Sequence, residues 1–292
     1  MILQFIANGI ITGSIYALTA LGFGLIYNTT RIFHIAYGAV YTTSAYVFYT
    51  FYKILNLPLF VSVIAGIAGG VILGILIEMI VYYPLYKRKA SSGIFIISSI
   101  GVYIFIVNLI AMVFGNEVKI LSPGIEKTYE FWGIILTRIQ LIEFGGFLIM
   151  FLFYIFLLKR TSFGKMVRAV ASNPFILPSF GVNVRKLRIE IFAAGSFFAS
   201  LSSCMVAWDI GMDPHVGMPV LLVSAVSVIV GGVGVFLSPA LGGLLIGLTQ
   251  SLVVWRISAR WEQAVTFVIL ILFLLFRPQG LLGIRKRVEE VL

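Results

Sequence analysis

Between Lys159 and Arg188 the sequence places seven Lys/Arg and no Asp or Glu, around the string Gly164-Lys-Met-Val-Arg168-Ala169-Val-Ala-Ser-Asn173-Pro174. Long apolar runs flank it on both sides. A cationic segment held between such runs sits at a membrane face, and its chemistry is docking rather than bond making.

Other residues capable of chemistry are sparse. Glu78, Glu143, Glu190 and Asp209 fall within or at the ends of apolar runs. An ionised group at the bilayer centre costs on the order of a few kcal/mol, so Glu78 and Glu143 are candidates for a coupled proton or cation site, although all four could reach headgroups or an internal partner. His34 and His215 lie far apart with no ligand-spaced Cys or His, which argues against a metal centre. Ser162-Phe-Gly-Lys165 has the Ser-x-x-Lys spacing of acyl-transfer enzymes but sits among six other bases without the companion motifs. No Gly-x-x-x-x-Gly-Lys-[Ser/Thr] phosphate loop is present, so any uphill transport draws on a partner or an ion gradient, and no cofactor is expected.

The elements that must hold these residues are membrane spans. The composition is 60% apolar and 11% charged, with a mean hydropathy of +1.08, against roughly 25% charged in soluble domains. Charge-free runs cover 1–30, 32–52, 54–77, 90–116, 144–158, 191–208, 214–255 and 263–276. The 214–255 run would exceed about 60 Å as one helix, so it must fold back, with Gly231-Gly-Val-Gly234 and Pro239 at the bend. Spans are expected near 2–27, 33–52, 59–82, 94–114, 139–158, 190–208, 219–234, 240–255 and 263–276. The fold class is therefore all-α, a polytopic transmembrane helical bundle of nine spans, or eight with one re-entrant segment, containing Gly-rich broken helices. Residues 1–292 read as one membrane domain because no polar connection is long enough for a soluble one. Residues 1–30 lack a basic leader region and a clear cleavage site, and read as a span. Cys204 is alone and lies in an apolar run.

Arg31, Lys87-Arg-Lys89, the 159–188 segment and the 277–292 tail hold 15 of the 21 Lys/Arg and fall on one side. The positive-inside rule puts that side in the cytoplasm and the N-terminus outside. This clustering beside spans accounts for the +10 net charge without nucleic acid. Gly9-x-x-x-Gly13, Gly66-x-x-x-Gly70-x-x-x-Gly74 and Gly243-x-x-x-Gly247 mark faces where helices approach closely, expected within one subunit.

Taken in order, several blocks match one family. They are Asn8-Gly-Ile-Ile-Thr-Gly13-Ser-Ile-Tyr16-Ala-Leu-Thr-Ala-Leu-Gly22, Arg31-Ile-Phe-His34-Ile-Ala-Tyr37-Gly38, Ile77-Glu-Met-Ile-Val-Tyr-Tyr-Pro84-Leu, Ser99-Ile-Gly101 with Asn108 and Phe114-Gly115, the Gly164 to Asn183 segment, Gly231-Gly-Val-Gly234, Leu241-Gly-Gly-Leu-Leu-Ile-Gly247 and Phe276-Arg-Pro-Gln-Gly-Leu-Leu-Gly283. Over nearly its whole length the chain resembles the permease subunits of ATP-binding-cassette importers for branched-chain amino acids, especially the shorter paralogue. The resemblance implies a multi-pass protein of the inner (cytoplasmic) membrane that pairs with a homologous permease or a second copy of itself. It also implies two cytoplasmic ATPase subunits, which hydrolyse ATP, and an external substrate-binding protein; the chain itself is not an enzyme. ATPase coupling is carried onto Gly164, Arg168, Ala169, Asn173, Pro174 and Gly181. The chain departs from the family pattern at His34-Ile-Ala-Tyr37-Gly38-Ala39, where an acid is missing and the histidine is displaced, and at Gly234-Val-Phe-Leu-Ser-Pro239.

A zwitterionic solute must exchange water for hydrogen bonds as it crosses. Tyr16, His34 and Tyr37, the polar groups on either side of the first Gly-rich span, are the candidates for that path. The alternatives are an ion-coupled secondary transporter using Glu78 or Glu143, an intramembrane enzyme, and a structural scaffold.

Overall fold

The computed structural model describes residues 2–121, 127–131, 133–172 and 181–283. Helix dominates, because a chain in lipid must satisfy its backbone groups internally. In order the elements are α1 (Ile2–Thr30), α2 (Tyr37–Tyr49) running into a π turn (Thr50–Ile54), α3 (Leu59–Ile77) continued by a second π turn (Glu78–Tyr82) and by α4 (Tyr83–Lys87), then α5 (Ser92–Phe114). A hairpin of β1 (Thr128–Phe131) and β2 (Ile134–Thr137) precedes α6 (Arg138–Arg160), α7 (Ser162–Ser172), α8 (Val184–Asp209), α9 (Gly217–Gly231), α10 (Ser238–Arg256) and α11 (Glu262–Phe276).

The fold is the expected all-α polytopic bundle, and helices occupy all nine anticipated span positions. Seven of them have the length and hydropathy to cross a membrane. The helix starting at Tyr37 and the 15-residue α9 do not; α9 is about 22 Å long against a hydrocarbon core of about 30 Å. Two expected boundaries are corrected. α9 stops at Gly231 rather than 234, and its last carbonyls at Val230 and Gly231 accept the Leu281 and Leu282 N–H groups at 2.8 and 2.9 Å, so the Pro278-Gln-Gly280 segment folds back beneath it. α8 begins at Val184 rather than 190, because Asn183 caps it by accepting the Lys186 N–H at 3.1 Å. Much of the expected 159–188 loop is therefore helical, as α7 and the first turn of α8. The hairpin has Thr128 opposite Thr137, and Thr137 opens α6 through a reciprocal capping box with Gln140.

α1 is the axis of the bundle. Most of its residues from Gly9 to Thr29 are buried, and it packs on α6, α7, α8, α9 and α10. The small-residue stripes are used in these internal contacts. A Cβ at Gly9 or Gly13 would come within 3.0 Å of the Leu248 or Leu244 Cα of α10. Gly66, Gly70 and Gly74 of α3 press on Cys204, Ser200 and Ser196 of α8, one helical turn apart on each. Close backbone approach maximises dispersion contact where lipid removes the hydrophobic drive for helix association. Outward faces of α5, α6 and α11 carry exposed Phe105, Ile149 and Leu275, as lipid-facing surfaces do.

Candidate translocation and docking sites

Four groups of residues carry polar chemistry in this apolar scaffold. The first is α7. Thr161 caps it, its Oγ1 accepting the Gly164 N–H at 3.1 Å. Gly164 then lies on the Leu157 and Leu158 carbonyls at the end of α6, where any side chain would collide. Val167 is fully buried beside it. Lys165, Arg168, Ala169 and Ser172 form the exposed stripe. The Arg168 guanidinium donates back to the Leu158 carbonyl and borders a cavity of ≈ 380 Å³ shared with Arg31 and the Val233–Phe236 turn. That turn is tied to the end of α1, because Asn28 Oδ1 accepts the Gly234 N–H at 2.8 Å. α7 thus contacts three parts of the bundle with one face and leaves a cationic stripe outside. Gly181 has a φ of +71°, suiting it to the turn into α8. Asn173 and Pro174 lie outside the described residues.

The second group surrounds the break between α1 and α2. His34 and Tyr37 are completely buried with ring centroids 5.9 Å apart. His34 Nδ1 is 2.8 Å from the Tyr82 hydroxyl, which donates to Ser99 Oγ at 2.6 Å, and Ser99 accepts the Ala36 N–H at 2.8 Å. With Tyr82 giving its proton to Ser99, the tautomer of His34 that completes this chain carries the proton on Nδ1. Tyr37 donates to the Thr19 carbonyl at 2.7 Å. Both residues therefore pin the α1–α2 break to α3, α5 and α1. Tyr16 lies apart from them, between two cavities: one bounded by Gln140, Glu143 and Asp209, the other by Asn8, Gln250 and Glu262.

The third group is an ion pair. Glu78, in the π turn after α3, is fully buried, and Arg188 of α8 binds it through Nε–Oε1 at 2.5 Å and Nη2–Oε2 at 3.0 Å. The guanidinium also stacks 4.6 Å from the Tyr86 ring. Sequence reasoning singled out the acid but missed Arg188. The available signal is that a buried acid demands a partner; Arg188 belongs by sequence to the cationic 159–188 segment, whereas the structure puts it in the second turn of α8.

The fourth group is Glu143 of α6. It is 4% exposed, although its position near a span end suggested contact with headgroups. It shares its cavity with Tyr16, Tyr41 and Asp209.

The described residues thus form a helical membrane bundle with polar groups held in its interior. Residues 5–274 match the family described as "Branched-chain amino acid transport system / permease component", and the chain belongs to it. It is 28% identical to the high-affinity branched-chain amino acid transport system permease protein BraD of Pseudomonas aeruginosa, covering 99% of this chain and 98% of that protein. Identity to the LivH permease protein of Escherichia coli K12 is also 28%, over 99% and 97% of the two chains. A probable LivH permease of Methanocaldococcus jannaschii is 26% identical over 98% and 94%. Among solved structures, PsaBC from Streptococcus pneumoniae in complex with Fab superposes with a TM-score of 0.53 at 15% identity, over 94% of this chain and 93% of that one, a likeness of fold. The chain is accordingly a membrane permease subunit of an ATP-binding-cassette importer, and ATP hydrolysis belongs to separate subunits. The ion-coupled alternative finds no support in these relatives, and Glu78 is committed to Arg188.

Proposed function

We propose that residues 1–292 act as a single permease domain carrying branched-chain amino acids inward across the cytoplasmic membrane. In this reading the Arg31, Lys87–Lys89, 159–188 and 277–292 side faces the cytoplasm. The chain pairs with a homologous permease or a second copy of itself, receives solute from an external binding protein, and is driven by two cytoplasmic ATPase subunits. The observation that carries the reading is the two-faced α7. Its buried Gly164 and Val167 fix it to the ends of α6 and α8, while Arg168 and Ala169 face outward. Partner motion applied to that stripe passes directly to α1, α6 and α8. Asn173, Pro174 and Gly181 complete the proposed ATPase-coupling segment, and Tyr16, His34 and Tyr37 the proposed solute path. His34 and Tyr37 would act there by controlling the α1–α2 break they hold.

The test is a cysteine at Ala169 in a Cys204→Ser background. It should cross-link to an ATPase subunit in native membranes, and Arg168→Glu should abolish that product together with ATP-dependent leucine uptake. Undiminished cross-linking and uptake in Arg168→Glu would remove the docking role.

A further inference from the structure

We propose that the cavity bounded by α1, α2, α6, α8 and α9 is a binding site within one subunit for an aliphatic amino acid, with Glu143 receiving the ammonium group. The proposal rests on the transport reading above and assigns it a place and a chemistry.

The cavity has a volume of ≈ 220 Å³. Glu143 forms no hydrogen bond or ion pair among the described residues, and no Lys, Arg or His lines the cavity. The contrast with Glu78, neutralised by Arg188, is direct: a buried carboxylate without a protein cation calls for a cationic ligand. A second, independent group lines the same space. Tyr41 is 1% exposed and its hydroxyl has no hydrogen-bond partner among the described residues. Gln140 commits its Oε1 to the Thr137 N–H at 3.0 Å, which leaves its NH₂ as a donor. With the Tyr16 hydroxyl, these donors suit a carboxylate. The rest of the wall is mainly aliphatic, formed by Ile11, Ile15, Val206 and three further Ile and Val.

The wall decides the ligand class. A bare inorganic cation needs several oxygen ligands around it, and half of this surface offers none. A simple alkylammonium would leave the hydroxyl and amide donors unused. A zwitterion with a branched hydrocarbon side chain uses each part: ammonium on Glu143, carboxylate on the tyrosines and Gln140, side chain on Ile and Val.

The experiment is binding of tritiated L-leucine to the full chain in phosphatidylethanolamine–phosphatidylglycerol nanodiscs, with 3-methylbutylamine, 4-methylpentanoate and sodium chloride as competitors. Leucine should bind, the amine should compete, and the acid lacking an ammonium and the salt should not. Glu143→Gln should weaken leucine binding by about tenfold or more, the loss of one charge-assisted contact, and Tyr41→Phe by a smaller factor. Absence of leucine binding to the wild type, unchanged affinity in a monodisperse Glu143→Gln protein, or competition by 4-methylpentanoate equal to that of leucine each overturns the site. Should Glu143→Gln fail to fold, Tyr41→Phe and the competitor series decide. Leucine uptake by cells with and without the chain is measured in parallel. Chain-dependent uptake alongside failed binding sinks the site alone, whereas absence of chain-dependent uptake sinks the transport reading.

Discussion

Arg188 crosses from α8 to hold Glu78 with two hydrogen bonds, fixing the π turn that follows α3 to the first turns of α8. The two side chains are 8% and 0% exposed. A pair this deep contributes little net energy, but either half alone is a buried unpaired charge.

Glu78→Gln and Arg188→Met are each expected to destabilise the protein by about 3–5 kcal/mol, and the double variant by clearly less than their sum. Thermal unfolding in detergent followed by intrinsic fluorescence gives the comparison. Additive losses would show that the two residues act separately.

The glycines divide by what they face. Gly247→Ala should lower stability, since its new methyl would meet the Gly13 backbone of α1, whereas Gly101→Ala, with open space around it on α5, should be neutral or gain up to about 1 kcal/mol. Yield of monodisperse protein and unfolding temperature report both. Equal behaviour of the two variants would contradict the α1–α10 packing.

The two faces of α7 should separate stability from coupling. Val167→Asp places a charge at a fully buried position and should reduce stability by several kcal/mol. Ala169→Asp, on the outer stripe, should leave unfolding unchanged while lowering ATP-dependent uptake. Uptake and unfolding temperature measured on the same preparations distinguish the outcomes.

Orientation is tested by single cysteines at Ser91, Ser172 and Thr128 in a Cys204→Ser background. Cys204 is buried 3.5 Å from the Ser44 hydroxyl, so its replacement by serine should be tolerated. An impermeant thiol reagent should reach the first two only from the cytoplasmic side and the third only from outside. External labelling at Ser172 in sealed cells would invert the assignment.

Hydropathy located the helices because leaving water is a property of a segment's composition. The expected 94–114 and 139–158 spans correspond to α5 and α6 within two residues at each end. Composition does not report on helix ends that stand in water. Arg185, Lys186 and Arg188 hid the first turn of α8, although Asn183 was a legible cap. The π turns at 50–54 and 78–82 left no pattern, since each adds a single residue per turn to an otherwise apolar helix. The glycine stripes were legible as close contacts because spacing alone puts them on one face. The partners of Tyr37 and His34 were not, because Thr19, Tyr82 and Ser99 reach them only through the three-dimensional packing of α1, α3 and α5. Glu143 was visible as an intramembrane acid, but its cavity depends on five helices brought together.

The burial of α1 also sets a timetable for biogenesis. It is made well before its close neighbours α8, α9 and α10, which begin only at residue 184. At translation rates of roughly 5–20 residues per second, α1 waits on the order of ten seconds for them. During that interval Thr12, Tyr16, Thr19 and Asn28 are held without their final neighbours, in lipid or against the insertion machinery. α8, α9 and α10 complete the burial of a segment made before them, so truncating α10 should strand α1 rather than the truncated end.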